Sequence, residues 1–237
     1  MRMGQAAAES DGGPAVGDVK GLALKQGMRG LAVFSEPGAY TWQRPEGCRN
    51  VYVRICGGGG GSGGVPATGS GQFSSSAGGG AGYAEKFIAD VAGEVAVQVG
   101  QGGSAGSLGT GNGGDGGESR FGDYVSATGG TGSSKGYAVP FGQVSSAMES
   151  GKPGVGINGD LNLDGGFGVR TIAFTHNTGF EQGSGGVCAM FGGALQTLRG
   201  YKVNPGNGAI GRAQLNQNDS ALAGYTGGHG CVMVYAF

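Results

Sequence analysis

Glycine is the residue that most constrains how this chain can fold. Of its 237 residues, 60 are glycine, close to a quarter, where ordinary proteins have about 7%. Residues 51–64 (VYVRICGGGGGSGG) show how the glycines are arranged. Val51, Val53 and Ile55 alternate with other residues and predict a half-buried strand. The glycines that follow have no side chain to bury and cost backbone entropy to order.

Three arrangements of these glycine stretches are open. A flexible linker has nothing to separate, because the strands on either side belong to one core. Disorder of many interior loops carries a large closure cost. Extended, polyproline-II-like glycine segments, in contrast, can approach each other closely and exchange main-chain hydrogen bonds. We therefore expect at least part of the glycine to pack backbone against backbone and to hold the few bulky side chains in place.

Strand-like runs bounded by turn residues predict an all-β fold. Their early spacing is typical of antiparallel hairpins, no run has the length and pattern of an ordinary helix, and the lack of a Gly-X-Y period excludes collagen. We predict a single antiparallel, jelly-roll-like β-sandwich with long glycine-rich, partly polyproline-II-like loops and little or no helix. Its strands come mainly from the first 130 residues and the last seven. The predicted organisation is an attachment arm at residues 1–20 and a glycine-rich β-sandwich domain at residues 21–237, in which residues 131–226 form variable loops.

Charge and cysteine content exclude several classes of protein. A net charge of −1, from 15 basic and 16 acidic residues, gives no electrostatic footprint for nucleic acid. No apolar run approaches the roughly 20 residues of a membrane-spanning helix, and the N-terminus has no apolar leader core. The four cysteines have no CxxC pair, so we expect free, mostly buried thiols rather than a disulfide scaffold or a zinc site.

Motifs for chemistry are weak throughout. The glycine run lacks the helix that a dinucleotide site needs. His229 is expected to be structural, and His176 a polar loop residue or a receptor contact. Asn158, Asp160, Asn162 and Asp164 recur at every second position, as in a calcium loop, but the EF-hand pattern is not met, and the same spacing fits a short strand. We therefore expect no catalytic residue, no metal and no cofactor.

Aromatic and amide side chains are concentrated in the second half of the chain. Sugar rings are bound by aromatic faces together with planar polar groups, because the ring has an apolar C–H face and directional hydroxyls. The alternative is that many of these side chains pack against glycine backbone. The candidate receptor-binding residues are Tyr137, Phe141, Asn158, Asn162, Phe167, His176, Phe180 and Tyr201.

An ordered set of segments resembles the glycine-rich C-terminal domain of bacteriophage and prophage tail fibres. The set begins with residues 42–46 and 51–61 and continues with residues 78–87 (GGGAGYAEKF) and 95–103 (VAVQVGQGG). Later matching pieces are residues 119–122, 126–130 and 159–168 (GDLNLDGGFG) and the apolar strand after Gly230. The similarity covers about residues 31–170 and 227–237.

The resemblance implies a non-enzymatic receptor-binding protein of the virion tail, assembled in the host cytoplasm, whose loops bind a glycan or protein of the bacterial surface. It also implies a homotrimer. Only about 30 residues precede the domain, so we expect attachment to another tail protein through residues 1–20 (Met1 to Lys20). Residues 171–226 have no obvious counterpart and are expected to set host specificity. A structural tail-tip or decoration protein, and a surface polysaccharide depolymerase, are the alternatives.

Overall fold

The computed structural model describes residues 27–67, 73–138, 149–170, 172–175, 179–181, 183–192, 203–214 and 220–237. These residues form strands, turns and extended segments, with no helix among them, and so none of them forms a helix of the length and apolar character that would span a membrane. The all-β prediction is confirmed. The predicted attachment arm lies outside the described residues.

The strands in chain order are β1 (Gly30–Phe34), β2 (Gly38–Gln43), β3 (Val51–Cys56), β4 (Phe73–Ser74), β5 (Tyr83–Ile88), β6 (Glu94–Val99), β7 (Ser119–Phe121), β8 (Val125–Ala127), β9 (Tyr137–Ala138), β10 (Gly156–Ile157), β11 (Leu161–Leu163), β12 (Ile172–Thr175), β13 (Gly179–Glu181), β14 (Ala213–Gln214) and β15 (Cys231–Ala236).

Two five-stranded antiparallel sheets form a sandwich. The first has the order β1-β15-β3-β5-β11 and the second the order β10-β8-β7-β6-β2. Alternating residues of β3 and β6 are buried between them, as their two-residue period predicts. The core contains Trp42, whose ring meets that of Phe121 edge to face with centroids 5.6 Å apart. The long β3 and the final β15 lie side by side in the middle of the first sheet.

The pairing of the first three strands differs from the hairpins that their spacing suggests. β1 pairs with β15, β2 pairs with β6 in the other sheet, and β3 lies between β15 and β5. The expectation of hairpins among β1, β2 and β3 was therefore wrong. All three strands pair instead with strands much farther along the chain, and short-range spacing does not reveal such partners.

The glycine stretches form a lattice of parallel and antiparallel extended segments, and residues 57–65 lie at its centre. In two sets of amides of this segment, every third amide donates to the same neighbouring segment, with N···O distances of 2.8 or 2.9 Å. One such set of donor–acceptor pairs is Gly58–Gly117, Gly61–Gly114 and Gly64–Gly111, and another is Gly59–Gly228, Ser62–Tyr225 and Val65–Leu222. A period of three residues per turn is that of polyproline II, which has no hydrogen bonds within its own segment.

Residues 75–82 form a second central segment with the same period. Their amides donate in turn to residues 206–212, 128–131 and 166–169. Neighbouring segments lie so close that side chains are excluded: a Cβ on Gly59 would lie 2.0 Å from the Asn207 carbonyl oxygen, and a Cβ on Gly60 2.0 Å from the Thr131 carbonyl oxygen. The expected packing of backbone against backbone is confirmed.

The lattice has two ends. Segments such as residues 57–65 begin where a sandwich strand stops, and run about 25 Å away from it at roughly 3.1 Å per residue. Their partners return to the sandwich, as residues 76–82 do when they lead into β5. We call the end near β3 and β5 the sandwich end and the opposite end, marked by the Val65–Leu222 bridge, the distal end.

Candidate binding surface

The distal end is where lattice segments turn back towards the sandwich. β4, β9 and β14 form a small antiparallel sheet there. A turn at Gly109 (φ +79°) reverses the chain between two lattice segments, and it lies against Pro66 and Ala221. Leu108 in this turn is one of the most exposed large apolar side chains of the described residues, at 65%. The lattice thus holds the Gly109 turn and the small sheet of β4, β9 and β14 at the same end.

Arg212 and Tyr225 form a stacked pair next to this end. The guanidinium carbon lies 3.5 Å from the centroid of the tyrosine ring, which is a close cation–π contact. Arg212 Nε also donates to the Ala223 carbonyl oxygen at 3.1 Å, and the Arg212 amide donates to Ser75 Oγ at 3.0 Å. These bonds fix the arginine between two lattice segments, so its planar face and the aromatic ring are presented together.

Tyr137 lies in β9 opposite Ser74 of β4, at the distal end. The ammonium group of Lys135 lies 6.0 Å from the centroid of its ring, at the outer limit of a cation–π contact. The Lys135 amide donates to Asn112 Oδ1 at 2.9 Å, which ties this segment to its neighbour. Two pairs of a cation and a tyrosine therefore occur at this end of the lattice.

The sequence-predicted site residues do not gather in one place among the described residues. Tyr137 is at the distal end, and Phe167 is exposed on the flank of the lattice, where residues 166 and 168 bond to residues 187 and 151. Phe180 lies in β13, opposite Ala173 of β12. Phe141, His176 and Tyr201 lie outside the described residues.

Asn158 and Asn162 are at the sandwich end, where they shape the turn between β10 and β11. Asn158 has a φ of +60°, a left-handed conformation that asparagine tolerates better than most residues. The Asn162 side chain accepts from the Gly159 amide and donates to the Gly159 carbonyl oxygen, both at 2.9 Å. Of the two interpretations of their spacing, the short strand is present as β11. No cluster of three or more metal-ligating side chains occurs in the described part of the chain.

A polar cluster that the sequence did not reveal lies on the outer face of the first sheet. The Glu85 carboxylate accepts hydrogen bonds from the hydroxyls of Tyr52 and Tyr83 and from Arg54 Nε, the last at 3.2 Å. Burial opposes ionisation of Glu85, but the hydrogen bonds from the tyrosines and Arg54 outweigh it and lower the pKa of the carboxyl group. Burial and the bond to Glu85 raise the pKa of Tyr52 to about 12. Every group has a partner inside the cluster, which is typical of a structural network.

A second unforeseen cluster joins three of the four cysteines. Cys56 at the end of β3 is in register with Cys231 at the start of β15, and Cys188 packs over them together with Met190. All are free and buried, as the sequence predicted. The hydrogen bond between Cys56 and Cys188, together with burial, raises the pKa of the Cys56 thiol, and the same bond lowers the pKa of Cys188. Burial and the negative charge of Cys188 raise the pKa of Cys231 to about 11.

Strand register brings Cys56 and Cys231 together, and no local sequence signal predicts this. His229 is structural, as predicted, because its Nδ1 accepts a hydrogen bond from the Gly102 amide at 3.0 Å.

Sandwich and lattice together define a glycine-rich all-β domain in which one half is held by side chains and the other by main chain. The model of a glycine-rich domain family matches residues 35–237. Because the match spans most of the chain, this protein belongs to that family. No curated protein matches the chain.

Proposed function

We propose that this protein is a bacteriophage tail fibre or receptor-binding protein that attaches the virion to the surface of a bacterial host. The observation that supports the proposal best is the lattice itself. It holds the Gly109 turn and the small sheet of β4, β9 and β14 at an end that lies about 25 Å from the sandwich, and such pre-organised elements bind with little loss of conformational entropy. The tail-fibre resemblance of the sequence supports the same role.

The distal end has the chemistry of a carbohydrate or protein receptor site. The stacked Arg212 and Tyr225 and the neighbouring Lys135 and Tyr137 offer aromatic faces beside hydrogen-bond donors, the combination that binds sugar rings. In this proposal the sandwich, together with residues 1–20, binds another tail protein. Three copies then raise a weak single-site affinity by avidity. Binding needs no catalytic step.

The test is saturable binding of the labelled full-length chain to bacteria on which the particle carrying it grows. Leu108→Asp changes the exposed distal turn, and Phe87→Asp makes the same kind of change on the sandwich, where Phe87 is also exposed. We expect Leu108→Asp to weaken binding at least about tenfold, equal to 1.4 kcal/mol, and Phe87→Asp to leave it unchanged. Absence of saturable binding, or an equal loss in both variants, contradicts the proposal.

A structural tail-tip or decoration protein is a second candidate because the outer face of the first sheet exposes apolar side chains. Leu31, Val33 and Phe87 are each about half exposed there, and such patches mark contact surfaces. Limited proteolysis or surface labelling of intact particles separates the two roles. Labelling of Lys135 at the distal end with protection of the sandwich supports the adhesin, and protection of both ends supports the structural role.

A further inference from the structure

We propose that Cys56 and Cys188 are a latent disulfide pair, a covalent modification site at which a small-molecule disulfide oxidises the two thiols. The bond would join the lattice to the sandwich, because Cys56 ends β3 and Cys188 follows directly on the lattice segment of residues 183–187. This inference is independent of the proposed receptor role.

The geometry favours this pair. Gly206 has a φ of +76°, and a Cβ at this residue would lie 2.9 Å from Cys188 Sγ and 3.3 Å from Cys56 Sγ. Both sulfurs therefore lie beside the same point of the Gly206 backbone. A disulfide needs two such sulfurs converging from backbones only a few ångströms apart.

Asn207 holds the segment that carries Cys188 in position. Its side-chain oxygen accepts from the Cys188 amide at 2.6 Å, and its side-chain nitrogen donates to the Gly192 carbonyl oxygen at 3.2 Å. The turn of residues 188–192 is thereby fixed over Cys56, while Ala189 and Gly192 in it are exposed. Local opening of this short turn is enough to admit a small oxidant.

Thiol–disulfide exchange proceeds in two balanced steps. The Cys188 thiolate, which the hydrogen bond from Cys56 favours, attacks one sulfur of glutathione disulfide and releases one glutathione thiolate. Cys56 then loses its proton to solvent and attacks the Cys188 sulfur, which forms the Cys56–Cys188 bond and expels the second glutathione. Two electrons pass from the protein to the small disulfide. Cys56 is the partner rather than Cys231, because the sulfurs that lie together beside Gly206 are those of Cys56 and Cys188.

The reaction depends on the compartment. Cytosolic glutathione keeps such thiols reduced, whereas the environment outside a cell permits oxidation. The lattice and the sandwich would then become covalently joined only after release from the cell.

The experiment uses the full-length chain purified under reducing conditions and then exposed to glutathione disulfide. Free thiols are alkylated and the linked peptides are mapped by mass spectrometry. We expect two of the four thiols to disappear, with a peptide linking Cys56 to Cys188. The melting temperature should rise by roughly 5–10 °C and return to its first value with dithiothreitol.

Cys48→Ala is the matched control, because Cys48 is buried in the sandwich core away from the cluster. This variant should leave the oxidation unchanged. Cys188→Ala should abolish it. A link between Cys56 and Cys231, a glutathione adduct alone, or no thiol loss under conditions that oxidise the urea-unfolded chain overturns the proposal. The mapping on the unaltered chain decides this even where a variant fails to fold.

Discussion

The sandwich and the lattice are two solutions to the same problem of building an interior. In the sandwich, large side chains such as Ile55 and Phe121 are fully buried between two sheets, and stability comes from apolar area removed from water. In the lattice, few large side chains are buried, and each segment bonds to neighbours in several directions through its main chain. Polyproline II leaves all backbone groups free for such bonds, and glycine lets the segments come close enough to make them.

The difference predicts opposite responses to substitution. A side-chain core loses stability when volume is removed, whereas a main-chain core loses it when volume is added. Four experiments test this contrast, beginning with the largest expected effect.

Gly60→Val should prevent folding or destabilise the protein by more than about 4 kcal/mol. The added Cβ would lie 2.0 Å from the Thr131 carbonyl oxygen, and backbone at that position cannot move without breaking neighbouring lattice bonds. Gly93→Val is the matched control, since a Cβ there meets nothing within 4 Å, and it should change stability by no more than about 0.5 kcal/mol. Urea unfolding measures both. Similar values for the two variants would show that residues 57–65 are a free linker rather than a packed segment.

Phe121→Ala should cost about 3–5 kcal/mol, because it removes a fully buried ring and leaves a cavity beside Trp42. We expect Trp42 fluorescence to change in the folded state while the lattice stays intact. Hydrogen exchange of the glycine amides is the second measurement. If the lattice amides exchange as fast as those of the sandwich in this variant, the two regions form one cooperative unit.

Ser133→Ala should cost about 2 kcal/mol. Ser133 is buried in the lattice, where its hydroxyl accepts from the Gly63 amide at 3.1 Å and donates to the Ser76 carbonyl oxygen. Without it, a buried donor and a buried acceptor lose their partner. Ser104→Ala, at an exposed lattice position, provides the comparison in the same unfolding assay and should have little effect. A loss of less than about 0.5 kcal/mol for Ser133→Ala would mean that water replaces the hydroxyl.

Glu85→Gln should cost about 1 kcal/mol at neutral pH and remove part of the acid dependence of stability. The folded-state pKa of Glu85 is lowered below its ordinary 4.5, so its contribution is present above that value and is lost as the pH falls below it. At the alkaline end, the Tyr52 contribution is lost as the pH rises from 10 towards 12.

Glu94→Gln, at an exposed position of β6, is the comparison and should change stability at neutral pH by no more than about 0.5 kcal/mol. Stability of the lattice should depend little on pH in comparison, because main-chain amides do not titrate in this range. If stability falls at acid pH in Glu85→Gln as it does in the unaltered protein, the role of Glu85 in the acid dependence of stability is contradicted.

Much of this molecule follows from local sequence. The alternation in β3 and β6 identified sandwich strands because one face of each is more deeply buried than the other. The lack of side chains in residues 57–64 pointed to backbone packing, since no other source of order was available there. The burial of four unpaired cysteines was also predicted.

The proposed binding residues were harder to predict. Aromatic content drew attention to Tyr137, but the partnership of Arg212 with Tyr225 depends on how the lattice places Arg212, whose amide bonds to the distant Ser75. Asn158 and Asn162 looked like exposed polar contacts, and in the structure they shape a turn. Composition identifies a residue's chemistry but does not show which neighbours it has.

Local sequence was enough to show that this chain has strands and that its glycine stretches have no side-chain core. Tertiary structure decided which strands pair, how the segments surround residues 57–65, and that Cys56, Cys188 and Cys231 meet at the junction of the two regions. The physical reason is that burial and backbone freedom are properties of single residues and their near neighbours. Lattice partners and strand partners, in contrast, are chosen by main-chain hydrogen bonds, which are nearly the same for every residue and so leave no mark on the sequence.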